Sequence, residues 1–178
     1  KKKKIKFYGI DPAKGMLKIA NKKIKDKRTR FIDGSFEKIC LKNNSVDKIF
    51  GNADYNFIQF EIKQKNKFSK YYSIQKNDIT IAYLITDKSP SKFHLFDYFV
   101  LCNTKSEIKK VTILNYREDY GGEICSYNWL KQFENNNANS SLEFKSKIDG
   151  ISGATISINS LKNSVWFNTK NLKGFLGL

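Results

Sequence analysis

The chain is poor in the residues that most often announce chemistry. Its 178 residues include three cysteines, two prolines, one methionine and a single histidine. Cys40, Cys102 and Cys125 are odd in number and far apart, no Cys-x-x-Cys pair occurs, and His94 stands at metal-ligand spacing from none of them. That excludes the common zinc patterns, and no metal site is expected. The thiols read as buried or incidental, with a bridge between any two of the three left open. No apolar run approaches the eighteen residues of a membrane-spanning helix. Lys1–Lys4 is similar to the charged start of an export signal, but no apolar stretch follows it. The sequence begins without an initiator methionine, so a removed leader or anchor ahead of Lys1 stays open.

Acidic residues are the other shortage: 17 Asp and Glu stand against 33 Lys and Arg, a net charge of +16. Residues 1–30 hold thirteen of the basic residues and only two acids, Asp11 and Asp26, so +11 of that charge lies there and +5 in the rest. A basic front end binds nucleic acid or an anionic membrane surface, or stays solvated. Lys, Asn and Ile are heavily used along the whole chain, as an AT-rich genome produces, which favours the solvated reading. Apolar residues from Ile5 to Ile19 punctuate the segment, so part of it is expected to be ordered. The organisation expected is a basic lead-in over residues 1–32 and one domain over residues 33–178. An apolar content of 40% with 14% aromatics is enough for a core.

Within the domain, a short helix is expected from Asp33, with Phe36, Ile39 and Cys40 on one face. Strands are expected at Tyr55–Ile62, Tyr71–Ile74, Ile79–Thr86, Phe96–Cys102 and Ile108–Tyr116, each rich in β-branched or aromatic residues. Asn77-Asp78 and Asp87-Lys88-Ser89-Pro90 read as turns. The short intervals favour antiparallel pairing, because parallel neighbours need long crossovers. Ser126–Glu134 reads as a short helix capped by Ser126, and Ile156 to about Leu172 as a closing helix with Ile158, Leu161, Val165 and Trp166 inward. Between these helices, Asn135–Ser141 is a polar loop. The fold class is α+β: a twisted antiparallel sheet with flanking helices.

Ahead of the closing helix stands Asp149-Gly150-Ile151-Ser152-Gly153-Ala154-Thr155. A Gly/Ser/Thr-rich turn opening a helix suits an anion, because N–H groups there are unpaired and glycine lets the backbone come close. The plain alternative is an ordinary helix start capped by Asp149 or Ser152. Upstream lie the turn Glu118-Asp119-Tyr120-Gly121-Gly122-Glu123 and the run Trp129-Leu130-Lys131-Gln132-Phe133.

Taken together, the three blocks resemble the bacterial FMN-binding domain, known from covalent-FMN subunits of the sodium-translocating NADH:quinone reductase and of Rnf-type complexes. The likeness runs from about Ile32 to the C-terminus and is nearest to small stand-alone bacterial FMN-binding proteins. Where the family usually has Glu-Thr-Pro-Gly-Leu-Gly, this chain lacks the proline and carries its second glycine one place early. The resemblance implies that a dedicated flavin transferase joins FMN, through its phosphate, to the hydroxyl of Thr155. It also implies that Asp149 positions the segment for that step, as well as or instead of capping it, and that Ser152, Gly153 and Ala154 lie at the phosphate. Glu118, Tyr120, Gly121, Gly122 and Trp129, together with Tyr116, are candidates to line the flavin slot, core packing being the alternative for the aromatics.

No catalytic residue is expected. The resemblance implies an electron carrier within an extracytoplasmic or membrane-associated redox chain, on the extracytoplasmic face of the cytoplasmic membrane or in the periplasm, rather than a self-sufficient enzyme. Its partners would be the transferase and membrane-bound redox proteins, with the basic front end as a membrane-proximal or docking segment. Two other readings are kept: a non-flavinylated scaffold of a membrane assembly, and a nucleic-acid-binding module. The second is disfavoured because the excess charge sits in the lead-in rather than among the strand aromatics, so no nucleic-acid partner is expected.

Overall fold

The chain divides into two compact units, Lys1–Asn52 and Ala53–Leu178. A computed structural model describes residues 7–10, 29–32, 49–50, 55–136, 146 and 148–178. In the first unit, β1 (Phe7–Ile10) and β2 (Thr29–Ile32) pair in parallel, Phe7 opposite Thr29 and Ile10 opposite Ile32. The lead-in therefore contains two paired strands that its charge did not announce. The helix expected from Asp33, with Cys40, lies outside the described residues.

The second unit carries a five-stranded antiparallel sheet in sequence order: β3 (Asn56–Phe60), β4 (Lys70–Lys76), β5 (Ile79–Pro90), β6 (Leu95–Asn103) and β7 (Ile108–Asn115). Asn77 and Asp78 make the β4–β5 turn with φ of 50° and 62°, the left-handed pair that matches hairpin twist. Asp87–Pro90, in contrast, does not turn: β5 runs straight through it. Asp87 lies opposite Tyr98 in register and is buried, as is Ser89, so both belong to the sheet's packed face. Pro90 ends the strand, where a missing N–H is tolerated. The reversal falls at Ser91–His94, closed by the Ser91 N–H donating to the His94 carbonyl at 2.8 Å.

The sheet is apolar on both faces. Tyr71, Ile85, Val100 and Val111 follow one another across the register on one face, while Tyr72, Leu84 and Leu101 do so on the other, and all seven are buried. Hence β6 is buried without a break from Tyr98 to Cys102, in the manner of a strand covered on both sides. Burial pushes the Cys102 thiol up to about 12, and Cys102 and Cys125 are both free.

Among the described residues, two α-helices pack on this sheet. The first, α1 (Tyr127–Leu130), is capped by the Ser126 hydroxyl, which accepts from the Trp129 N–H at 3.3 Å, and Lys131–Phe133 extends it as a 3-10 turn. Helix α2 spans Thr155–Phe175. It buries Ile158, Leu161, Val165, Asn168, Thr169 and Leu172, a stripe at three- and four-residue steps, and Trp166 packs half-buried at its side. Neither Asp149 nor Ser152 caps it. The N-cap is Ala154, with no side-chain cap, because the preceding chain is held by other contacts described below.

Asn168 is the polar member of the stripe and is fully buried. Its Oδ1 accepts from Ser69 Oγ at 3.0 Å and Tyr71 Oη at 2.9 Å, while its Nδ2 donates to Asp87 Oδ2 at 2.8 Å and Tyr98 Oη at 3.0 Å. Those four bonds fill the amide's capacity. The Tyr98 hydroxyl also donates to Asp87 Oδ2 at 3.3 Å. Burial first, and the Asp87 charge second, push the Tyr98 phenol well above its usual range. Replacing Asn168 with Leu leaves these groups without partners inside the protein and is expected to cost about 3 kcal/mol or more. Urea denaturation of the variant checks this; a loss below about 1 kcal/mol would mean that water satisfies the network.

Candidate functional site

Thr155 is the first residue of α2 and is exposed. Gly153 precedes it with φ of +79° and open space where a side chain would stand. The first-turn N–H groups of a helix have no partner within it, and here neither a cap side chain nor an acidic residue occupies that end. Thr155 lies on a cleft of about 510 Å3, within the range of small-molecule sites. One wall is α2 itself with the residues just before it, Gly153 to Ser157. Tyr116, Glu118 and Tyr120 form the second wall, from the segment after β7, and Lys92 and Phe93 form the third, at the β5–β6 reversal.

Three sets of contacts hold the Thr155 segment. Gly121 has φ of +75°, and a Cβ there would come within 2.7 Å of Ala154 Cβ and 3.2 Å of its Cα. The glycine turn thus lies directly against the residue before Thr155. Further back, the Trp129 indole N–H donates to the Asp149 carbonyl at 3.0 Å, and the Asp149 N–H donates to Gln132 Oε1 at 2.9 Å. Lys162, further along α2, donates its ammonium to the Ile148 carbonyl. Burial lowers that ammonium's pKa, and the nearby Asp149 charge opposes the shift. The three blocks that carry the family resemblance, separate in sequence, therefore meet at one place.

Glu118 orders the third wall. Its Oε1 accepts from the Ser91 hydroxyl, and from the N–H groups of Phe93 and His94 at 3.0 Å each; His94 Nδ1 stands 3.4 Å away. The Ser91 hydroxyl first, then these backbone donors, hold the Glu118 carboxyl down to about 2. Tyr116 shares a hydrogen bond with Ser157 Oγ at 2.9 Å and sets its ring edge-on to Phe96 at 5.7 Å, tying the second wall to the first.

The residues singled out in the sequence divide by position. Thr155, Ala154, Gly153, Tyr116, Glu118 and Tyr120 line the cleft. Gly121 lies behind it against Ala154, and Gly122 faces open space at the start of a 3-10 turn, Gly122–Cys125. Trp129 is outside the cleft: only 7% exposed, packed edge-on against Phe133 at 5.5 Å, it grips the Asp149 backbone. Asp149 and Ser152 are exposed on the approach to the helix. Lys92, Phe93, Ile156 and Ser157 line the cleft as well. Ser157 could be read from its place two residues after Thr155; Lys92 and Phe93 carry no local signal, because only the sheet brings them here. Among the described residues, no three His, Cys, Asp or Glu side chains gather in a way that could hold a metal ion.

In comparison with known proteins, residues 97–168 match the family model of the FMN-binding domain. The match runs from β6 through both glycine-bearing segments to Asn168. Residues 1–68 match a second model, a methyltransferase domain. The chain is also 28% identical over 107 residues to an uncharacterized methyltransferase, YdaC, of Bacillus subtilis strain 168. The aligned region covers 60% of this chain and 59% of the length of that protein.

The residues present fit FMN. The cleft offers an uncapped helix start and an ammonium for a phosphate, a hydroxyl for an ester, and aromatic surface for a ring.

Two outcomes follow for the walls. Gly121→Ala meets both a left-handed backbone and the Ala154 contact, so it should lose about 2–4 kcal/mol. Gly122→Ala, with open space around it, should stay within about 0.5 kcal/mol in the same denaturation assay. Equal effects at the two glycines would refute the close approach. The depressed Glu118 carboxyl stabilises the fold in its ionised form, fully above its ordinary value of 4.5, and loses that contribution as the pH falls toward 2. The stability gap between wild type and Glu118→Gln should therefore close across that window; a gap that does not change with pH would contradict the assignment.

Proposed function

We propose that the Ala53–Leu178 unit is an electron-carrying flavoprotein whose FMN is joined by a phosphoester to Thr155 Oγ. The observation that carries this reading is the placement of Thr155 at an uncapped helix N-terminus, on a cleft also lined by Tyr116, Tyr120 and Phe93. In the attachment step a P–O bond forms to Oγ while the bond from that phosphorus to the leaving oxygen of the flavin donor breaks, the leaving oxygen takes up the hydroxyl proton, and the chain gains one FMN less one water. A flavin transferase performs it; Asp149, exposed ahead of Thr155, is placed to be read by that enzyme.

Bound FMN supplies one- and two-electron chemistry. The chain's own residues bind and orient. The first-turn N–H groups of α2 and the Lys92 ammonium would supply positive charge to the phosphate, Tyr116 and Ser157 tie two walls together, and Glu118 keeps the third in place. No residue in the cleft is placed as a proton-abstracting base with a raised carboxyl pKa, since Glu118 is committed to its donors. That supports a carrier working with redox partner proteins, rather than an enzyme complete in itself. By the same reading it works at the extracytoplasmic face of a membrane, where a covalent tether prevents cofactor loss.

A separate observation bears on the front of the chain. The methyltransferase-domain match and the parallel β1–β2 pair support a reading in which the first unit is part of a methyltransferase-type α/β fold.

Intact mass of the protein from a host with an active flavin transferase tests the main reading, with Thr155→Ala alongside. The expected result is a gain of one FMN less one water in wild type and none in the variant. An unmodified wild type, with a control substrate modified in the same cells, would favour the scaffold.

A further inference from the structure

The tip of the β5–β6 reversal presents an apolar ring to solvent. Phe93 is 73% exposed, and across the same cleft Tyr120 is 80% exposed. An exposed aromatic on a loose loop would be unremarked, but this reversal is not loose. The Ser91 N–H closes it onto the His94 carbonyl, and Glu118 gathers the Ser91 hydroxyl and two successive backbone N–H groups, those of Phe93 and His94. One carboxylate thus fixes the tip against the segment that bears Tyr120, two residues further on. Lys92 holds its ammonium 4.9 Å from the centre of the Phe93 ring, a cation–π contact that restrains the ring from one side. The Phe93 ring is thereby held at the cleft that Thr155 lines, Tyr120 lines the same cleft, and each has most of its surface uncovered.

We propose that Phe93 and Tyr120 form the seat of the flavin ring, with Glu118 as the positioning residue that holds Phe93 in place. The inference rests on FMN attachment at Thr155. Through Phe93 it adds ring contact from a hairpin outside the attachment segment to the contact that Tyr120 makes from the glycine turn. A planar, electron-poor ring system stacks well on aromatic side chains, each such pair contributing beyond the area it covers. Glu118 acts only through the reversal, not by touching the ring.

The test uses full-length chain flavinylated in cells and checked by intact mass: wild type, Phe93→Ala, Phe93→Tyr, Tyr120→Ala, Glu118→Gln and, as a distant control, Ile79→Ala at the exposed β4–β5 turn. Iodide quenching of the attached flavin's fluorescence reports how much of the ring is open to solvent. The quenching constant is expected to rise about two- to tenfold in Phe93→Ala and in Tyr120→Ala, the range one aromatic pair is worth. Phe93→Tyr should restore the wild-type value, Glu118→Gln should raise the constant with Phe93 still present, and Ile79→Ala should leave it unchanged. Attached flavin with the same quenching in wild type, Phe93→Ala and Tyr120→Ala would overturn this inference alone. Folded Phe93→Ala protein that accepts no flavin would also overturn it, because the tip would then serve the transferase. A wild type that takes no flavin would overturn the functional reading and this inference with it.

Discussion

The buried amide of Asn168 is the contact on which the site's geometry depends. A helix lying on a sheet through apolar side chains alone can slide or rotate at modest cost, since packing is non-directional. Four hydrogen bonds to β4, β5, β6 and the chain before β4 remove that freedom. Thr155 lies thirteen residues ahead on the same helix, about 20 Å along its axis. Because a helix of this length is stiff, fixing Asn168 against the sheet also fixes where Thr155 emerges. The polar network is therefore part of the site even though it lies far from the cleft.

At the other end of α2, the same problem is solved by close approach rather than by a network. Gly121 and Ala154 leave no room for a side chain between them, and the Trp129 and Gln132 side chains grip the backbone of Asp149. A segment rich in glycine is intrinsically loose; here its looseness is taken up by neighbours that came from the two upstream blocks. Small residues in the Thr155 motif serve packing as much as ligand access. An uncapped helix start is consistent with this, because the chain before it is anchored through its carbonyls and N–H groups instead of through a cap.

Much of the second unit was legible in its sequence. The five strands follow from β-branched and aromatic runs separated by polar turns, and α2 from the spacing of Ile158, Leu161 and Val165. Where the reading failed, tertiary burial overrode local chemistry. Asp87-Lys88-Ser89-Pro90 has turn composition, yet Asp87 finds partners in Asn66, Tyr98 and Asn168 that only the folded sheet supplies. The same cause hid Asn168, which looks like any exposed helix asparagine. Thr155 was visible because its motif is local. The role of Trp129 in gripping Asp149 and the place of Phe93 on the cleft were not, since each depends on residues twenty or more positions away. In the front unit, charge composition obscured a strand pattern that the parallel β1–β2 pair makes plain.

Helix α2 also works as a ruler. Each residue turns the chain by about 100°, so the interval between Asn168 and Thr155 sets the direction in which the hydroxyl points as well as its height. One residue inserted or removed within that interval would swing Thr155 out of the cleft while leaving every local motif intact. The length of this stretch is thus under constraint even at exposed positions such as Asn159 and Asn163, whose identities are free to drift. Relatives that keep the motif but change the spacing would share the signature without sharing the site.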